Sequence, residues 1–324
     1  MRALRFHEHG GPEVLRFEAV PVPDPGPGEV RIRHEAIGLN YIDVYHRTGL
    51  YPVASLPSGL GLEAAGEVTA VGPGVEGFAV GDKVAYAGGP LGACAEERVF
   101  PAERLVHRPG AVAADVAAAV LLKGMTAEFL IHRTFEVQPG QTVLFHAAAG
   151  GVGLLACQWL KAKGARVIGT VGSEAKAALA RAAGCDEVIL YTKEDFVART
   201  RALTGGQGVP VVYDSVGRDT FHRSLDCLAP RGLLVGFGNA SGKPDPLDVG
   251  SLAVKGSLFV TRATLFTYTA SRADLELSAG RVFDAVARAT LRPHIGQRFA
   301  LADAAQAYRA LEGRGTTGST LLLP

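Results

Sequence analysis

Val143-Leu144-Phe145-His146-Ala147-Ala148-Ala149-Gly150-Gly151-Val152-Gly153 is an apolar run that ends in a cluster of small residues, and the helix-compatible Leu154–Leu160 follows it. The order is strand, tight turn, helix. Small residues let the backbone approach a pyrophosphate, and the free N–H groups and dipole at a helix start hold its negative charge. Against the pattern G-x-G-x-x-G, the segment Ala148–Gly153 has Ala in the first glycine position and keeps Gly150 and Gly153. With a strand before it and a helix after it, the turn reads as the start of a dinucleotide-binding unit.

Downstream the same rhythm repeats. Strands are expected at Arg166–Thr170, Glu187–Tyr191, Val209–Asp214, Gly232–Phe237 and Ser257–Arg262. Helices are expected at Glu174–Ala183, Glu194–Thr204 and Thr220–Leu228. Strands separated by helices of this length predict a doubly wound parallel sheet of about six strands, covered on both faces. An NAD site places an acid at the end of the second strand, about 20 residues after the glycines. Here the sequence is Val171-Gly172-Ser173-Glu174-Ala175-Lys176. Ser173 offers a neutral donor, Lys176 a cation one turn later and Tyr191 a phenol, which suits a 2′-phosphate and points to NADPH. Glu174 is the competing group, since it could itself reach a ribose.

Upstream, Gly and Pro punctuate short segments rich in Val, Ile and aromatics. Val30, Ile32, His34 and Ala36 alternate with Arg31, Arg33 and Glu35, the period-2 signature of a strand with one buried face. Similar segments at Val68–Val71 and Lys83–Tyr86 predict a barrel-like β domain. An alanine-rich helical stretch begins near Asp115 and continues past Gly124 to His132. After about Thr264 the rhythm changes to a long helix near Arg272–Ala289, a shorter one at Ala302–Leu311 and a last strand Thr320–Leu323. This tail is expected to fold back onto the β domain. The expected divisions are 1–124, 125–264 and 265–324.

The chain of 324 residues carries 33 Lys+Arg against 32 Asp+Glu, a net charge of +1 that argues against a nucleic-acid partner. No apolar run approaches the ~20 residues that span a bilayer. The charged start Met1–Glu8 lacks a signal peptide's apolar centre, so a cytoplasmic location is expected. Cys94, Cys157, Cys185 and Cys227 show no C-x-x-C spacing, which predicts buried thiols rather than a metal site.

End to end, the chain resembles the zinc-independent quinone oxidoreductases, the zeta-crystallin branch of the medium-chain dehydrogenase/reductase superfamily, and in particular the bacterial NADPH:quinone reductases. The motifs that carry the likeness are Phe6–Glu13, Gly38-Leu39-Asn40-Tyr41-Ile42-Asp43, Gly49-Leu50-Tyr51-Pro52, Gly61–Gly66, His146–Gly153, Tyr213–Gly217 and Phe237-Gly238-Asn239. The resemblance implies an α/β chain: a GroES-like β-rich catalytic domain built from both chain ends, with a Rossmann domain between them and an active site in the cleft. Zinc-dependent relatives carry Cys where Asn40 stands and Gly-His-Glu where Gly61-Leu62-Glu63 stands. Asn and Leu are not zinc ligands, so no metal is expected.

The resemblance further assigns Asn40, Tyr45 and Asp43 to catalysis and Tyr41 to the nicotinamide end. Phe129 joins them there, with Gly238, Asn239, Ala240 and Ser241 after the fifth strand and Thr264, Leu265 and Phe266 after the sixth. Ala149, Gly150, Gly151, Val152 and Gly153 hold the pyrophosphate. Gly172, Ser173, Lys176, Tyr191 and Arg314 meet the phosphate end. His146 reads as a satisfied strand histidine, and Asp43 equally as a structural acceptor. The expected activity is metal-free hydride transfer from NADPH to a quinone. The alternatives are NADPH-dependent reduction of an enone or alkenal C=C bond, or a non-catalytic NADPH-binding role like that of a crystallin. Ser257–Arg262 is apolar until its last residue and would be an exposed edge strand, so a homodimer paired through it is expected.

Overall fold

A computed structural model describes all 324 residues. The strands are β1 (Arg2–Phe6), β2 (Leu15–Ala19), β3 (Glu29–Leu39), β4 (Ser58–Gly59), β5 (Glu63–Val71), β6 (Lys83–Ala87), β7 (Glu97–Pro101) and β8 (Val106–His107), then β9 (Thr142–Phe145), β10 (Arg166–Val171), β11 (Glu187–Leu190), β12 (Val209–Asp214), β13 (Leu228–Gly236) and β14 (Phe259–Arg262), and finally β15 (Ile295–Ala300) and β16 (Ser319–Leu323). The helices are α1 (Tyr41–Arg47), α2 (Ala114–Phe129), α3 (Gly151–Ala162), α4 (Glu174–Ala182), α5 (Phe196–Leu203), α6 (Phe221–Ser224), α7 (Gly250–Val254), α8 (Leu265–Tyr268), α9 (Arg272–Ala287) and α10 (Ala304–Glu312). The chain forms two compact units, one of residues 1–125, 269–288 and 293–324, the other of residues 126–268 and 289–292.

In the first unit β3 is the hub. It pairs antiparallel with β5, β7 and β16, joining sequence from both chain ends in one sheet ordered β15-β16-β3-β5-β6-β8. Its first half alternates as expected, with Val30, Ile32 and His34 buried and Arg33 and Glu35 exposed. From Ala36 to Leu39 every residue is buried. That double burial is where the strand delivers Asn40 and α1. A three-stranded sheet β2-β1-β4 completes the β framework. The core gathers Phe6, Ile32, Ile37, Leu60, Tyr86, Phe100 and Tyr308, each wholly or almost wholly removed from water.

The second unit is a six-stranded sheet ordered β11-β10-β9-β12-β13-β14, with every pairing parallel. In strand order along the chain this is 3-2-1-4-5-6, the doubly wound dinucleotide-binding arrangement, whose order reverses between β9 and β12. The carboxyl ends of those two strands flank the crevice where such sheets take ligands.

Several elements differ from expectation. The helix through Gly124 ends at Phe129 and continues as a π-helical turn, Leu130–Thr134. The helix expected over Thr220–Leu228 is the short α6 followed by a 3₁₀ turn, Leu225–Cys227. The short helix α8 groups with the second unit, so the chain returns to the first at Thr269. Strand β15 was unexpected. It runs parallel at the end of the sheet and exposes every second residue, so it lacks the apolar run that marks its neighbour β16.

Candidate functional site

The glycine turn lies at the carboxyl end of β9. Ala147 adopts φ 55° there, and Gly150 caps α3 in an extended conformation. A Cβ on Gly153 would stand 2.4 Å from the Ala147 carbonyl oxygen, and one on Gly150 would stand 3.2 Å from it. Glycine is therefore required at 153 by the turn folding back under the helix. The first-turn N–H groups of Gly151, Val152 and Gly153 have no partners within the helix. This is the cradle a pyrophosphate needs, with backbone close and unshielded. Ala148 and Ala149 are buried beneath it.

At the end of β10, Ser173 caps α4, its hydroxyl accepting from the Lys176 N–H at 3.3 Å and keeping its own proton to donate. A Cβ on Gly172 would stand 2.5 Å from the Tyr191 hydroxyl, so the glycine is what admits that phenol. Glu174 is drawn to Lys193, whose Nζ lies 3.0 Å from its carboxylate. Ser173, Lys176 and Tyr191 thus share one end of the sheet, and the competing acid has an exposed ion-pair partner, Lys193, that the sequence did not single out.

Beyond the switch point, two loops are laced together. Asp214 Oδ1 accepts from the Val216 and Gly217 N–H groups at 2.8 and 3.1 Å. The Ala240 and Ser241 N–H groups bond the carbonyls of Ser215 and Val216. A Cβ on Gly238 would stand 2.4 Å from the Ser215 carbonyl oxygen. Gly238, Asn239, Ala240 and Ser241 therefore form one backbone surface with 215–217. In the same unit Thr264 is exposed, Leu265 is buried and Phe266 is half-buried. Phe129 is almost wholly buried, stacked on Tyr268 with ring centroids 4.4 Å apart.

His146 links these parts from below. It is 1 % exposed, with Nδ1 2.9 Å from Thr170 Oγ1 and Nε2 2.9 Å from Ser224 Oγ. Ser224 in turn donates to Asp214 Oδ2 at 3.2 Å. With the Ser224 proton turned to Asp214, Nε2 carries the ring proton and Nδ1 accepts from Thr170. Burial holds the imidazole pKa below its ordinary value, with the Asp214 charge acting in the opposite direction.

In the first unit, Asn40 is the residue before α1. It forms a capping box with Asp43, whose Oδ2 accepts from the Asn40 backbone N–H at 2.9 Å. The same Oδ2 accepts from the Tyr308 hydroxyl at 3.1 Å, and Oδ1 has no hydrogen-bond partner. Asp43 is fully buried, and desolvation pushes its pKa up to about 7. Tyr45 is 7 % exposed, its ring edge-on to Tyr51 at 5.1 Å and tilted against Tyr41 at 5.6 Å. Tyr41 is half-buried, and its pKa is raised by burial and then by Glu312, while the Arg314 charge opposes the rise. Arg314, at φ 57°, thus lies within electrostatic reach of Tyr41. Asn40, Tyr41, Asp43 and Tyr45 come together around α1.

Two residues behind Asn40 escaped the sequence reading. The Asn40 amide Nδ2 donates to Glu63 Oε2 at 2.8 Å and to the Gly38 carbonyl at 3.2 Å. Lys123 Nζ lies 2.9 Å from the same Glu63 oxygen, and Glu63 Oε1 accepts from the Leu122 N–H at 2.7 Å. Glu63 is wholly buried and Lys123 is 4 % exposed. The signal was present as one acid in Gly61–Gly66 and one cation in the apolar middle of α2, a pair that burial permits only together.

This arrangement does not fit a metal. Both Glu63 oxygens already accept from an ammonium, an amide and a backbone N–H, and Asn40 and Leu62 offer no ligand of the kind zinc takes.

A zinc-binding dehydrogenase family model matches residues 151–277, and an alcohol dehydrogenase GroES-like domain model matches residues 26–134. The chain is 54% identical to the quinone oxidoreductase of Pseudomonas aeruginosa, over 100% of this chain and 99% of the relative. It is 47% identical to the 2-haloacrylate reductase of a Burkholderia species, over 99% of this chain and 98% of that protein. The crystal structure of Escherichia coli quinone oxidoreductase complexed with NADPH is similar at a TM-score of 0.99 and 48% identity, covering 100% of both chains.

Proposed function

The chain belongs to the quinone oxidoreductase family of the medium-chain dehydrogenase/reductase superfamily, and from that membership we propose that it reduces quinones with NADPH, without a metal. The observation that carries the reading is the pairing of a pyrophosphate cradle at Gly150–Gly153 with a donor set, Ser173, Lys176 and Tyr191, at the end of β10 and β11. The cradle is one that a Cβ would fill, and the donor set is right for a 2′-phosphate. When bound, NADPH supplies a hydride from its nicotinamide ring. The second unit, with Phe129, Gly238–Ser241 and Thr264–Phe266, carries the cofactor in this reading. In the first unit the family resemblance assigns Asn40, Tyr41 and Tyr45 to the nicotinamide and Arg314 to the phosphate.

Asp43 is buried and hydrogen-bonded to the backbone of Asn40, so its role here is to position that residue. A quinone takes hydride downhill and its reduced oxygens can be protonated by water, so orientation and exclusion of water are the demands on the protein. No side chain is an obligatory acid. Tyr45→Phe should keep most quinone turnover across the pH range. A loss near the roughly 10²- to 10⁴-fold typical of a removed general acid, with one limb of the pH profile erased, would overturn this mechanism. The likeness to a 2-haloacrylate reductase favours C=C reduction as the second reading.

A homodimer formed through β14 is part of the proposal. The strand ends the parallel sheet, Phe259 is 61 % exposed, and Val249 before α7 and Val254 at its end are 73 % and 90 % exposed. Phe259→Glu should shift sedimentation toward a monomer. A cytoplasmic location agrees with four cysteines that are all buried and unpaired, and no helix is long and apolar enough to cross a membrane.

A further inference from the structure

We propose that Lys123 and Glu63 are positioning residues that fix the polarity of Asn40, so that its amide can offer a ligand only a hydrogen-bond acceptor. The inference rests on the assignment of Asn40 to the nicotinamide end. Carboxylate and carbonyl oxygens only accept hydrogen bonds, so the group facing Glu63 Oε2 and Gly38 O must be the Asn40 NH₂, and both of its protons are committed there. What remains is Oδ1. It faces the first-turn N–H of the capping box and retains a second lone pair. The ligand group it can meet is therefore a donor such as the carboxamide N–H of nicotinamide. It cannot act as a donor to a quinone oxygen.

Lys123 makes this orientation permanent. A carboxylate as deeply buried as Glu63 is tolerated only with a cation and donors around it. Lys123, with Nζ 2.9 Å from Oε2, is that cation, so toward Asn40 the Glu63 side chain presents an acceptor. Gly38 is part of the same device, because a Cβ there would stand 2.3 Å from Glu63 Oε2. The Leu122 N–H holds Oε1, which leaves Oε2 for Asn40 and Lys123.

The test compares binding of NADP⁺ with binding of its 3-acetylpyridine analogue, which carries a methyl ketone in place of the carboxamide and has no N–H to give. Isothermal titration calorimetry reads both without turnover. Wild type should favour NADP⁺ by roughly two- to tenfold, the worth of one neutral hydrogen bond. In the charge-balanced double variant Lys123→Met/Glu63→Gln, the Leu122 N–H keeps the glutamine oxygen and turns its NH₂ toward Asn40. Asn40 then faces a donor where it had an acceptor and loses the bond that fixes its amide, so the preference should fall toward one. Lys123→Arg, which keeps the cation, should retain the preference, and a cooperative melt would establish that each variant is folded. A preference lost in Asn40→Ala but intact in the folded double variant would overturn the role of Lys123 and Glu63 while leaving Asn40 at the nicotinamide. Equal binding of both nucleotides by wild type, unchanged in Asn40→Ala, would overturn the inference together with the assignment it rests on. If the double variant does not fold, Lys123→Met/Glu63→Leu, which removes the acceptor and the buried cation together, makes the same discrimination.

Discussion

The hydroxyl of Tyr308 donates to Asp43 Oδ2 at 3.1 Å, joining the last helix of the chain to the first across 265 residues of sequence. The bond lies in a pocket from which water is excluded, with the Cys94 sulfur 3.8 Å from the same hydroxyl. Two hydrogen bonds to the carboxylate do not offset its desolvation, so the Asp43 pKa rises from 3.8 to about 7.

That rise sets a pH dependence. Between the two values the folded state binds a proton that the unfolded state has released, so this group's contribution to stability falls as pH climbs from about 4 to about 7, and it is constant outside that window. Asp43→Asn keeps an acceptor for the Asn40 N–H and cannot ionise. Denaturant unfolding of both proteins should show the stability of the variant relative to wild type increasing across this window. A constant or shrinking difference would mean that Asp43 is not the titrating group.

Two glycines with opposite surroundings test the turn. A Cβ on Gly153 meets the Ala147 carbonyl oxygen at 2.4 Å, whereas one on Gly280, in α9, meets nothing within 4 Å. Gly153→Ala should destabilise the protein by roughly 1–3 kcal/mol and weaken NADPH binding with it. Gly280→Ala should stabilise it by about 0.5–1 kcal/mol and leave binding alone. Thermal melts and cofactor titrations of the two variants decide the matter, and equal effects would contradict the geometry.

On the proposed role of Lys176 at the 2′-phosphate, Lys176→Ala should weaken NADPH by roughly 1.5–3 kcal/mol, on the order of ten- to a hundredfold in affinity. NADH, which lacks that phosphate, should be nearly indifferent. Equal weakening of both cofactors would make Lys176 a structural residue. Because Glu174 is paired with Lys193, Glu174→Ala should leave NADH binding unchanged, and a loss there would place the acid on the ribose after all.

Much of this was legible in the sequence because it is local. Strand β9, the turn and α3 are contiguous, and the period-2 pattern of β3 shows in seven residues. The pairing of β16 with β3 was not legible, since it joins residues about 280 positions apart through backbone bonds that leave no side-chain signature. The lock on Asn40 was hidden for the same reason. Its parts come from β3, β5 and α2, and only burial makes Glu63 and Lys123 informative. The sequence marks His146 as a satisfied strand histidine, but its partners Thr170 and Ser224 come from separate crossover units and carry no local signal.

With both Glu63 oxygens committed to Lys123, Asn40 and the Leu122 N–H, dialysis against a strong chelator should leave the rate unchanged. Zinc bound at one equivalent per chain, lost together with activity, would contradict the metal-free reading.

Steady-state kcat/KM with NADPH, measured on one preparation against a simple 1,4-quinone and an α,β-unsaturated ketone, with alcohol oxidation by NADP⁺ alongside, weighs the whole account. Quinone reduction should be the fastest of the three and alcohol oxidation undetectable. Faster reduction of the enone, or appreciable oxidation of the alcohol, would contradict it.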